Sequence, residues 1–263
     1  MKNNPRLIAG KILNDFGIDE PNLVSIEDIV HALNIPLQFR KLNGCDGRII
    51  HDGKRSIIVI NDQIQYQSRR DFTIAHELGH YLMHQDGLIQ HFDTLSTMTW
   101  FDNSLKNQIL IQEYEANTFA AEILLPSTIF QKEIERKFFS LELIKSVADK
   151  YKVSQSSIIY RFVEFGNHPL CVFYSMENKV RFWKKSHDFY YKIKECTKIP
   201  PPINSVAAEF FDHGIFYTGK DAKQQIVKSV WLDVKEDYAD DTFYEFCLVH
   251  SESNLAISVI WED

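Results

Sequence analysis

The 263 residues are 25% charged and 44% hydrophobic, the balance of a folded globular protein, which excludes a disordered or fibrous chain. A formal net charge of −7 speaks against broad nucleic-acid or membrane-surface binding as the main task, because both need clustered Lys and Arg. Cys45, Cys171, Cys196 and Cys247 lie far apart with no CxxC pair, so buried free thiols are expected and neither a thiolate metal site nor a disulfide framework is.

Met1 to Arg6 leads into no long apolar core, so no signal peptide is read. No stretch reaches the roughly 18 to 20 apolar residues that span a bilayer, and the expected location is the cytoplasm. Leu7–Phe16 reads as a short helix, with Leu7, Ile8, Ile12, Leu13 and Phe16 at helical spacing and Gly17 as its stop. Ser25, with Asp28 three residues on, predicts the start of a second helix burying Ile29, Val30 and Leu33. The period then changes. Pro36–Arg40, Gly47–Ile50 and Ser56–Ile60 predict short strands divided by Asn43-Gly44 and Asp52-Gly53, a small antiparallel or mixed sheet.

Ser68–His84 returns to helical spacing, with Asp71 set near the positive end of the helix dipole and Asp86-Gly87 ending the run. Leu88–Asn107 is polar, rich in Ser and Thr, and of a length at which loops are usually mobile or functional; it is a candidate lid. Gln108–Leu125 predicts a helix closed by Pro126, followed by one from Ser127 to about Lys137 and two more in Leu141–Phe165, around Tyr151–Ser154. Gly166-Asn167-His168-Pro169 marks the clearest boundary. Beyond it Cys171–Tyr174, Val180–Lys184, Ile226–Val234, Phe243–His250 and Leu255–Trp261 predict strands, with Ser251–Asn254 as a turn and Pro200-Pro201-Pro202 as a stiff break.

The chemistry is concentrated in His76-Glu77-Leu78-Gly79-His80. On a helix of about 3.6 residues per turn, His76 and His80 share a face and both imidazoles reach one metal ion. Glu77 is rotated by about 100°, beside the metal, where a carboxylate takes a proton from water and hands it to a leaving amine. Flanking Phe72-Thr73-Ile74-Ala75 and Tyr81-Leu82-Met83 put these polar groups on a partly buried helix, where burial without a purpose is costly.

A catalytic zinc site usually has three protein ligands and an open position. His84 lies a further turn along the axis, about 6 Å beyond His80, and is poorly placed to converge. The pattern with a third histidine ten residues after the first fails, because Asp86 and Met83 occupy its key positions. Carboxylates are offered by Glu113-Tyr114-Glu115-Ala116-Asn117-Thr118-Phe119-Ala120-Ala121-Glu122. Glu113 shares a face with Asn117, Ala120 and Leu124 and is the first choice; Glu115, on the face of Phe119 and Glu122, is the second. Asn117, one turn on from Glu113, is placed to orient a ligand histidine. Tyr81, Tyr114 and Tyr160 are able to stabilise an oxyanion but read as core or interface, and His51 as a solvated loop residue.

Arg70–His84 and Glu113–Pro126, in this order, resemble the ImmA/IrrE metallopeptidases. The resemblance covers about Leu7 to Gly166 and stops there. It implies a zincin-like domain in which His76, His80 and Glu113 bind Zn2+ and Glu77 is catalytic. It also implies cytoplasmic cleavage of specific proteins, typically helix-turn-helix repressors, in mobile-element or stress responses.

Leu143–Phe165 itself looks like a helix-turn-helix, with Ala148, Val153, Ser154, Ile158 and Phe162 at its buried positions. Its second helix carries only Arg161 as a cation, whereas DNA readers add several phosphate and base contacts; packing is the expected role and DNA binding the rival. The expected architecture is α+β: a zincin-like metallopeptidase domain (1–130) of gluzincin-like type, a helical extension (131–169), and a β-rich domain (170–263) of sensor or partner-binding kind.

Overall fold

The computed structural model describes residues 4–51, 55–84 and 108–262, so the candidate lid and the Asp52-Gly53 turn lie outside the described residues. Among the described residues the chain is mixed α+β, with eight α-helices and two sheets. It divides into two compact units, residues 1–133 with 145–157, and residues 134–144 with 158–263. No helix of the described residues is long and apolar enough to cross a membrane.

The first unit opens with α1 (Pro5–Asp15), whose Asn4 cap accepts from the backbone N–H groups of Arg6 and Leu7 at 3.0 and 3.4 Å. Pro5 fills the first helical position, where its missing N–H costs nothing. In α2 (Ile26–Ala32) the Ser25 hydroxyl accepts from the Asp28 N–H at 3.0 Å and donates to its carboxylate at 2.7 Å. The sheet that follows is mixed. β3 (Ser56–Asn61) lies between β1 (Leu37–Arg40), which it meets parallel, and β2 (Gly47–His51), which it meets antiparallel.

Alternation along β3 sends Ile58 and Ile60 to the main core and Val59 to a small cluster with Leu42 and Cys45. The main core is closed by α3 (Gln67–Met83) and α4 (Gln108–Leu124), whose Ile74, Leu78, Phe119 and Ala120 are fully buried. Gly79 allows the close approach: a Cβ there would stand 3.1 Å from Phe119 Cδ1 and 3.2 Å from Ala116 Cα. Asp71 falls in the second turn of α3, outside the first turn that feels the dipole most, and accepts from Gln67 Nε2 at 2.7 Å. Burial there raises its carboxyl pKa above the ordinary Asp value.

α5 (Ser127–Ile134) ends three residues before the expected Lys137, with Arg136 at φ +60° in the turn that follows. Glu122 starts this helix, its Oε1 accepting from the Ser127 N–H and hydroxyl at 2.9 Å each. The boundary between the units falls inside α6 (Leu141–Tyr151) and α7 (Gln155–Phe165).

The second unit is built on five antiparallel strands in the order β5-β4-β8-β7-β6. They are β4 (Leu170–Met176), β5 (Lys179–Lys185), β6 (Gln224–Val227), β7 (Thr242–His250) and β8 (Leu255–Trp261). β8 is buried at every position. Glu177 and Asn178 both adopt positive φ, 53° and 55°, as a two-residue hairpin twisted like its strands requires.

The expected strand Ile226–Val234 is real only to Val227. Lys228 turns its backbone N–H to the Asp241 carbonyl and its ammonium, largely buried, to Glu262 at 2.8 Å, so the chain bends and meets Ile193 at Leu232 as a single bridge. α8 (Val206–His213) lies between strands, capped by the Ser205 hydroxyl and ended by Gly214 at φ +68°. The fully buried Glu245 accepts from the Val206 N–H at 3.0 Å and from Trp231 Nε1 at 3.1 Å. The four cysteines are buried and form no disulfide.

Candidate metal centre

Apolar burial along α3 carries His76, Glu77 and His80 inward, to 1, 3 and 1% exposure. The Nε2 atoms of the two histidines stand 3.0 Å apart. From α4, Glu113 points one carboxylate oxygen at each: Oε2 lies 3.3 Å from His76 Nε2 and Oε1 3.3 Å from His80 Nε2. Ligand atoms about 2.0–2.1 Å from one tetrahedral ion stand roughly 3.3 Å from each other. The two imidazole nitrogens and the two carboxylate oxygens are thus spaced as donors gathered on one ion are, and the three side chains are a group that could hold a metal ion. Two imidazoles and a carboxylate are a borderline donor set that suits zinc.

Each histidine is held from behind. His76 Nδ1 donates to Asn117 Oδ1 at 2.9 Å, since an amide oxygen only accepts, and this leaves the Nε2 lone pair turned to Glu113. His80 Nδ1 lies 3.0 Å from His84 Nδ1, and His84 Nε2 lies 2.9 Å from Glu115 Oε2. The two residues weighed as rivals to Glu113 thus pair with each other, and His84 reaches the back of His80 instead of the cluster.

Glu77 is packed against the entry to β2. A Cβ on Gly47 would stand 2.9 Å from Glu77 Oε1 and 2.7 Å from Thr73 Cγ2. The approach is fixed by Asp46, whose carboxylate accepts from Arg69 Nε of α3 at 2.6 Å. Asn61 adds to it by accepting from the Leu42 N–H at 3.3 Å and donating to the carbonyls of Leu42 and Cys45 at 3.2 Å each. Residue type and spacing did not point to Gly47. Its only sequence signal is a glycine opening a strand, a position that often marks close backbone approach.

Other expected residues lie elsewhere. Tyr160 donates to Glu164 Oε1 at 2.9 Å in the second unit. Tyr81 packs on the core of the first unit. Arg161, the one cation of the candidate recognition helix, is 2% exposed, with its guanidinium 5.5 Å from the Phe165 ring centre.

Residues 30–163, just over half the chain, match the profile of the IrrE N-terminal-like domain, a peptidase family. The chain belongs to this family. The matched span contains all the residues of the cluster and those behind it. Similar proteins include the radiation response metalloprotease IrrE of Deinococcus radiodurans, 29% identical over 143 residues, which are 54% of this chain and 40% of that protein. The IrrE of Deinococcus deserti is 28% identical over 52% of this chain and 46% of its own length. Metallopeptidase ImmA of Bacillus subtilis is 29% identical over 50% of this chain and 76% of its own. The matches thus span less than half the length of the two IrrE proteins. A solved structure of a Mycobacterium tuberculosis transcriptional regulator shares the fold, with a TM-score of 0.63 at 14% identity over 98% of this chain and 75% of that one.

Proposed function

We propose that the chain is a zinc-dependent endopeptidase, zincin-like and of gluzincin type, that cleaves a specific regulatory protein in the cytoplasm. The observation that carries this reading is the convergence of His76 and His80, whose Nε2 atoms stand 3.0 Å apart, on Glu113, which sets one carboxylate oxygen 3.3 Å from each, beside the buried Glu77.

His76 and His80 would hold the metal through Nε2 and Glu113 through its carboxylate. A zinc ion there would supply Lewis-acid polarisation of the scissile carbonyl and activation of water. Glu77 would take the proton from the attacking water and return it to the leaving amine. Its near-complete burial keeps the carboxylate out of bulk solvent, and exclusion of water strengthens the electrostatic interactions on which such a transfer relies.

β2 is an edge strand, and its first residue touches Glu77. An extended substrate that adds to that edge brings a peptide bond to the cluster. Residues 1–130 then act as the peptidase domain, 131–169 as a helical extension and 170–263 as a sensor or partner-binding domain. The names of the relatives, a radiation response metalloprotease and a metallopeptidase, support proteolysis; a helix-turn-helix repressor cut in a stress or mobile-element response is the substrate class proposed here.

The test is a zinc assay paired with cleavage of purified helix-turn-helix repressors offered as substrates. Wild type carries one zinc per chain and cuts; His76→Ala and His80→Ala lose the metal; Glu77→Gln keeps it and does not cut. A wild-type chain that stays metal-free under zinc-replete conditions refutes the reading.

The rival is a DNA-binding regulator that keeps the peptidase fold as scaffold. The likeness to a solved transcriptional regulator is one of fold alone. Burial of Arg161 removes the cation that the second helix of the candidate motif would offer to phosphate.

A further inference from the structure

We propose that His84 and Glu115 act in series as positioning residues for His80, setting how tightly the cluster holds its metal. This inference rests on the zinc reading above. The proposed peptidase step uses neither, and the two are joined to each other and, through His84, to the back of His80. His84 is 7% exposed at the C-terminal cap of α3, with its ring between the back of His80 and the Glu115 carboxylate.

The geometry fixes which atoms carry hydrogen. Two Nδ1 atoms 3.0 Å apart must be one donor and one acceptor. His80 turns Nε2 to His76 and Glu113; as a ligand that nitrogen is a lone pair, so the hydrogen of the neutral ring is on Nδ1. His80 Nδ1–H therefore donates to His84 Nδ1. His84, with Nδ1 accepting, carries its hydrogen on Nε2 and donates it to Glu115 Oε2 at 2.9 Å. Each member is left with one orientation and one tautomer.

The consequence is electronic as well as steric. A carboxylate at the end of the chain draws the hydrogen of His84 towards itself, which makes His84 Nδ1 a better acceptor, which in turn makes His80 Nε2 a stronger donor to a metal. His76 is treated differently: its Nδ1 meets the neutral amide of Asn117. The two ligand histidines are thus held by unlike partners. A second metal site is not what the pair provides, because the group able to hold a metal among the described residues is His76, His80 and Glu113.

The experiment measures zinc affinity of the full chain by competition with a chromogenic chelator, with the melting temperature of the metal-free protein as the folding control. Loss of an outer partner typically costs 10- to 100-fold in metal affinity, and His84→Leu and Glu115→Gln are each expected to weaken zinc by about that factor while the metal-free melt stays put. A series arrangement predicts that the double variant is no weaker than His84→Leu alone, since Glu115 acts only through His84. With cobalt in place of zinc, the visible spectrum of both single variants shifts from wild type, which a purely structural role would not produce. Unchanged affinity in either single variant, or multiplied losses in the double, overturns the relay and leaves the zinc reading standing. A wild type that binds no zinc overturns both.

Discussion

Gly47 gives the sharpest test of how the carboxylate of Glu77, the proposed general base, is held. In Gly47→Ala the new Cβ would lie 2.7 Å from Thr73 Cγ2 and 2.9 Å from both Cγ and Oε1 of Glu77, whereas carbon atoms in contact rest at about 3.5–4.0 Å. Roughly 1 Å must be found by moving either β2 or the side chains of Thr73 and Glu77 on α3. β2 is held at this point by the Asp46–Arg69 ion pair and by the Asn61 hydrogen bonds to the preceding loop, so the two α3 side chains yield and the Glu77 carboxylate is displaced with them. Overpacking of this kind costs about 1–3 kcal/mol of stability. A displacement of about 1 Å at a reacting group costs about 100-fold in turnover.

Gly47→Ala is therefore expected to bind zinc at full stoichiometry, to melt a few degrees lower (about 2–4 °C per kcal/mol at this chain length), and to cut roughly 100-fold more slowly. The assays are metal content, thermal melting and cleavage of the same repressor substrate. Wild-type turnover in this variant would refute the claim that β2 clamps the carboxylate.

Three further outcomes follow from other contacts. Asn117→Ala removes the acceptor from His76 Nδ1 inside the protein and is expected to weaken zinc by about 10- to 100-fold, read by chelator competition; unchanged affinity would refute an orienting role. Gly79→Ala places a Cβ 3.2 Å from Ala116 Cα, which forces α3 and α4 apart, and is expected to cost about 1–3 kcal/mol in denaturant melts; a neutral melt would show that the helices can part. Asp71, its pKa raised by burial, destabilises the fold where it is ionised, because the folded state holds its proton longer than the unfolded state does. Its contribution is most favourable below the unfolded value of 3.8 and is lost as pH rises through the raised folded value. Asp71→Asn should thus melt higher than wild type at pH 7, with the gap closing towards pH 3.8; a gap constant across that range would refute it.

The first unit was largely legible because its chemistry is written in helical spacing. A spacing of four puts His76 and His80 on one face, and the same rule set Glu113 before Glu115 and Asn117 one turn beyond it; in the structure Glu113 joins the two histidines and Asn117 meets His76 Nδ1. What spacing does not encode is where two distant side chains meet. His84 and Glu115 were weighed separately as ligands, and their pairing depends on how α4 lies along α3. The approach of Gly47 to Glu77 is likewise a tertiary contact between strand and helix.

In the second unit, α8 carries its own signals, Ser205 as cap and Gly214 as stop, but it is short and sits among segments of alternating texture. The false end of the strand after Val227 has a different cause. The apolar run Val230-Trp231-Leu232 is fully consistent with a strand, yet it is buried through a turn and one bridge because Lys228 is anchored to Glu262.

The strand order of the second unit bears on how it is made. β8 is the middle of the five strands and the last of them to leave the ribosome. Until it emerges, the β4–β5 ribbon and the β6–β7 ribbon have no shared partner, and the apolar faces that β8 will cover are open to solvent and to other chains. Register pairs such as Leu170 with Trp261 span the whole unit, and closing so long a loop is slow. Interception of nascent chains by chaperones should therefore concentrate on this unit during synthesis, and a premature stop that removes only β8 would leave two unpaired ribbons rather than a trimmed domain.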